Sequence, residues 1–122
     1  MATNNAWLDQ ITEAALEPDL PICGTHHHLW DQRKGRVEPL YPLDEFQKDL
    51  QSSHTNVSTV FVDCSATCRS DEPEDMKPIG EVEIVNGIAA MADSGLYGET
   101  QVAAAIIGHA ALEIESRVKG VL

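Results

Sequence analysis

The chain has 122 residues, 43% hydrophobic and only 5% aromatic, with 20 acidic side chains against 8 basic ones and a formal net charge of -12. This length makes one domain at most and is enough to bury a core. The acidity speaks against nucleic acid and an anionic membrane surface as partners, because phosphate binding needs clustered Lys and Arg.

Residues 5–17 read as a helical or irregular lead-in, with Trp7, Leu8, Ile11, Ala14 and Ala15 apolar at helical spacing. Pro18 and Pro21 end it, so 1–21 is expected to stand apart from a domain over 22–122. Residues 22–29 are the first strand, and 31–42, rich in charge, Gly and Pro, form a loop. Residues 43–53 predict a short helix with Asp44 and Glu45 in its first turn, and Leu43, Phe46, Gln47 and Leu50 on one side. The β-branched run 57–64 is a second strand, followed by a polar loop over 65–76. A helix is expected over 78–93, with Pro78 early, Gly95 as its stop and a stripe of Ile79, Val82, Val85, Ile88 or Ala89 and Ala92. On that helix Glu81 and Glu83 are expected on a solvated face. Residues 101–110 are a third strand, apolar on both sides as expected of a parallel strand covered on both faces. Residues 112–122 begin a further helix.

Strand and helix alternate three times, which predicts an α/β fold with a parallel sheet and right-handed crossovers. In such sheets functional residues gather at the C-terminal strand ends. His26 and His28 close the first strand, Asp63 the second and His109 the third. Residues two apart on a strand share a face, so His26 and His28 can grip one metal ion. His27 is out of phase and is expected to point away, toward packing or a hydrogen bond. Trp30 is a candidate pocket wall or a core residue; Asp63 is a pocket carboxylate or a cap; His109 lines a pocket or is merely hydrogen-bonded. Arg69 is expected to be a solvated loop residue.

Residues 1–20 have neither a basic n-region nor an unbroken apolar stretch, so no secretory leader is expected. A cytoplasmic location follows as the expectation, with Cys23, Cys64 and Cys68 as free thiols; Cys64 and Cys68 lack Cys-x-x-Cys spacing.

The segment Gly24-Thr25-His26-His27-His28-Leu29-Trp30-Asp31 resembles the first-strand motif of the amidohydrolase-related family, in the branch similar to dicarboxylate lactonases. The runs 59–64, 80–90 and 105–112 extend the resemblance. It implies a (β/α)8 TIM barrel whose members hydrolyse lactone, ester or amide bonds of small carbonyl or carboxylate compounds, some relatives instead decarboxylating aromatic acids. It implies a divalent metal, often zinc, held by the pair matching His26 and His28. The family's further His and its Asp come from later strands, and Gly24 stands where the family usually has Asp. A barrel of this kind needs about 250 residues, so the chain is expected to be the N-terminal part of a longer hydrolase, about three strands of eight. The small-molecule substrate then belongs to the full-length parent. No catalytic residue is assigned within this chain, which is expected to be inactive alone. The alternative is a non-enzymatic remnant that binds metal weakly or self-associates, and homo-oligomers are compatible with either.

Overall fold

The computed structural model describes residues 5–30, 41–52 and 54–122. The expected loop at 31–40 and the expected helix end at Ser53 lie outside the described residues. Three strands, β1 (Pro21–His27), β2 (Thr55–Val62) and β3 (Gln101–Ile107), form one parallel sheet in the order β1-β2-β3. Helix α1 is Asn5–Leu8, α2 (Leu43–Leu50) connects β1 to β2, and α3 (Ile79–Asp93) connects β2 to β3. The fold is therefore α/β with parallel strands joined by helical crossovers, as the alternation requires. No helix among the described residues is long and apolar enough to cross a membrane.

One core lies between the sheet and the two crossover helices. Phe61 and Val102 are fully buried, and they cluster with Leu29, Leu43 and Phe46 on the α2 side and Val85 and Ala92 from α3. Gly95, with φ of +72, ends α3 in the left-handed conformation and donates its N–H to Ala92 O at 3.1 Å, the stop expected of a glycine there.

The ladder is irregular in two places that matter. From Gly24 to His27 β1 advances three residues while β2 advances two, Thr59 to Phe61. From Gln101 to Ala105 β3 advances four residues while β2 advances two, Ser58 to Val60. Ala103, inside this second bulge, has φ of +53 and donates its N–H to the Thr59 hydroxyl at 3.0 Å. Bulges of this kind re-aim side chains, and the first one holds His26.

Two expectations need correction, and the lead-in, expected as helical or irregular, is mostly irregular. β3 is not covered on both faces: Val102 and Ala103 are buried, but Ala104, Ala105 and Ile107 are exposed. It is an edge strand of the described sheet, and no described element lies beyond it. The lead-in is helical only over Asn5–Leu8, and Trp7, Ile11 and Leu16 remain exposed, so their spacing buries no stripe. It is tied down further along instead, where the Thr55 N–H and hydroxyl both donate to Pro18 O. The C-terminal segment Leu112–Gly120 is 3-10 helical and broken at Glu115, whose φ is +56.

Candidate metal centre

β1 ends at His27, so His28 lies just past the strand and His26 sits in the bulge. Simple alternation therefore does not bring the two together; the bulge at His26 and the end of the strand after His27 do. Their Nε2 atoms are 3.2 Å apart and their rings meet edge to face, with centroids 4.9 Å apart. His28 Nδ1 is 2.7 Å from Val62 O at the end of β2. A carbonyl can only accept, so Nδ1 carries the proton and Nε2 is left as the basic nitrogen. That is the tautomer a metal ligand needs, held by a second-layer hydrogen bond.

The pair passes a distance test for one ion. Zinc binds imidazole at about 2.0–2.1 Å, so two nitrogens of one site must lie within about 4.2 Å of each other. The observed separation of 3.2 Å satisfies this. Two ligands are not a closed site, however. Among the described residues no group of three or more His, Cys, Asp or Glu side chains could hold a metal ion.

His27 takes the opposite course. Its ring stacks on Phe46 at 4.4 Å and meets Phe61 edge-on at 5.6 Å, and its Nε2 lies 2.9 Å from the Thr59 hydroxyl. Burial, the largest cause, pushes its pKa down to about 4, so the ring is neutral at physiological pH.

Asp63 follows Val62 directly. Its N–H donates to Ile107 O at 2.9 Å, and its Oδ1 accepts the Ser65 N–H at 3.1 Å. Oδ2 is shielded from solvent and has no hydrogen-bond partner among the described residues. Burial raises the carboxyl pKa; the Ser65 N–H opposes this, the nearby Glu81 charge adds to it, and His109 and His28 oppose it. His109 is exposed two residues beyond β3 and reaches Asp63 through this field. The order of the strands explains the arrangement: β2 is central, so Asp63 has His28 on one side and His109 on the other.

Trp30 belongs elsewhere. It pairs with Tyr41 through two backbone hydrogen bonds, 3.3 and 2.8 Å, with ring centroids 5.4 Å apart. Together with Leu29, Leu43, Ile84 and Ile88 they line an apolar cleft of about 580 Å³ on the helix side of the sheet. Neither His26, His28, Asp63 nor His109 lines it.

Glu81 is the residue that sequence reasoning missed. It is 2% exposed, not solvated. One oxygen accepts the Cys64 N–H at 2.8 Å, and the other accepts those of Ala66 at 2.6 Å and Thr67 at 3.3 Å. The signal was available: Glu81 lies four residues before Val85 and eleven before Ala92, in phase with the buried stripe. Glu83, two residues on, is exposed as expected and pairs with Arg69. No disulfide joins Cys23, Cys64 and Cys68.

No family model, curated protein or solved structure matches the chain.

Proposed function

We propose that this chain is the N-terminal part of an amidohydrolase-related (β/α)8 barrel, and that His26 and His28 are two ligands of its divalent metal, with zinc the best chemical match. The observation that carries this is the His26–His28 pair itself: two Nε2 atoms 3.2 Å apart at the C-terminal end of β1, with the His28 tautomer set by Val62 O. The order β1-β2-β3 is the one that the first three strands of a barrel would take, and the first half of a doubly wound sheet shares it. A bound ion would polarise a substrate carbonyl and acidify a water, which suits hydrolysis of lactone, ester or amide bonds in small carboxylate compounds. The chain's own part is to present two imidazoles side by side and, at the neighbouring strand ends, the polar groups of Asp63 and His109. With only two ligands and no assigned general base, the 122-residue chain is inactive by itself.

A Zn2+ titration of the chain tests the metal site. One ion per chain is expected, with binding lost in His26→Ala and in His28→Ala; equal binding by wild type and both variants overturns the site. Metal-dependent hydrolysis of simple lactones or esters by the 122-residue chain would overturn its inactivity.

A second reading is favoured by the exposed edge strand with its apolar Ile107. Here the chain is a non-enzymatic α/β unit that binds metal weakly and pairs with a second copy. Sedimentation equilibrium separates the two: a dimer unaffected by Zn2+ supports self-association, and a monomer that binds Zn2+ supports the metal site.

A further inference from the structure

We propose that Glu81 is the positioning residue of the candidate site, holding the loop after β2 so that Asp63 presents one carboxylate oxygen as an acceptor beside the His26–His28 pair. This rests on the metal-site reading and extends it, because it gives Asp63 and Glu81 roles without making either a ligand.

Glu81 is a buried, acceptor-only carboxylate on which three backbone N–H groups converge, those of Cys64, Ala66 and Thr67. These donors bracket Ser65, whose φ is +57. A non-glycine residue in the left-handed region persists only where its surroundings over-determine it, and such residues cluster at functional sites. The Glu81 clamp is that surrounding. Gly80 brings it close: a Cβ there would sit 2.7 Å from Arg69 N, so only glycine lets α3 start this tightly against the same loop.

The clamped loop fixes Asp63 in turn. Ser65 donates to its Oδ1, and the Asp63 N–H is held by Ile107 O. Oδ2 is left shielded and without a partner among the described residues. A shielded acceptor with no donor is costly and calls for an explanation. The neighbouring groups supply one. Val62, the residue before Asp63, accepts the His28 Nδ1–H at 2.7 Å, which sets Asp63 one residue from the anchor of the pair. A hydrogen-bond donor held at the His pair, such as water or a substrate hydroxyl, is the chemistry that Oδ2 would accept.

The test is Zn2+ affinity by chelator competition near neutral pH, measured on the full chain for wild type, H28A, D63N, E81Q and the D63N/E81Q double variant. Amide hydrogen exchange is recorded on each. Second-layer partners of metal ligands typically govern affinity by 10- to 100-fold, so D63N is expected to weaken binding roughly tenfold. E81Q is expected to weaken it similarly and to speed exchange at Ala66 and Thr67. The double variant should bind no worse than D63N alone, because Glu81 acts through Asp63. Unchanged affinity in D63N, with binding abolished in H28A, overturns the role of Asp63 and leaves the metal pair standing. Additive losses in the double variant, or loop amides freed without loss of affinity, overturn the positioning role of Glu81. Binding by H28A equal to wild type overturns the metal reading, and this inference with it. Should E81Q fail to fold, Glu81→Asp keeps the charge one methylene shorter and serves in its place, with the same outcomes.

Discussion

His27 and its two neighbours occupy consecutive positions and end in opposite environments. His27 is packed between Phe46 and Phe61 with its charge suppressed, whereas His26 and His28 meet at the strand end with their Nε2 atoms 3.2 Å apart. The same side chain serves as core filler or as candidate ligand according to which side of the sheet it faces. A bulge at His26 and the end of the strand after His27 separate the two roles more sharply than regular pleating would.

The helix-side environment should fail most severely when its largest buried ring is removed. Phe61→Ala is expected to destabilise the chain by about 3–5 kcal/mol, and in a domain this small the denaturant midpoint will move toward zero. A midpoint close to wild type would mean that the core around His27 is looser than the contacts indicate.

Truncating the histidines one at a time sharpens the contrast. His27→Ala should destabilise by about 1–2 kcal/mol, through lost stacking, and leave Zn2+ binding in place. His28→Ala should do the reverse, with a stability change under about 1 kcal/mol and loss of the ion. Parallel urea melts and Zn2+ titrations of the two variants decide it; a swapped pattern would invert the assignment of the faces.

A pH series probes the same contrast without mutation. The folded His27 pKa is depressed to about 4 from 6.5, so the unfolded chain binds more protons between those values. Its contribution to stability is therefore complete above about pH 6.5 and is lost as pH falls toward 4. Because the ring is only half-buried, the effect is discounted to on the order of 1–2 kcal/mol. Asp63 works the other way: its raised pKa makes its contribution greatest at low pH and lost as pH rises through the folded value. His27→Phe should flatten the rise in urea midpoint between pH 4 and 6.5, and an unchanged slope would remove His27 as its source.

The smallest effect is expected at the surface. Arg69 pairs with Glu83 and Glu72 at exposed positions, and this hydrogen-bonded contact raises the arginine pKa and lowers that of Glu83. Glu83→Ala should leave the thermal midpoint almost unchanged, and change it less still at high salt. A larger, salt-independent loss in thermal melts would show that the pair braces the loop gripped by Glu81.

Much of this architecture is legible in residue patterns. The run Val57 to Val62 is β-branched and apolar, and it forms the central strand. The apolar stripe of α3 and its stop at Gly95 follow from periodicity and from glycine's tolerance of positive φ. Local propensity sufficed for these because it agreed with the packing. It failed for β3, where an apolar run implies two covered faces but cannot say what lies beyond the edge. It failed for Glu81, because a carboxylate in phase with the stripe looks solvated until three N–H donors from a loop 14 to 17 residues away meet it.

By itself, then, the sequence determined the alternation of strands and helices, the parallel sheet that follows from it, and the placing of His26, His28, Asp63 and His109 at or just past strand ends, because these depend on residue patterning and chain order. Only the tertiary structure decided that His28 anchors to Val62, that His27 packs under Phe46, that Trp30 lines a separate cleft, and that Glu81 grips the loop beside Asp63. Each of these joins residues distant in sequence or turns on a bulge, and neither local propensity nor a period of two contains that information.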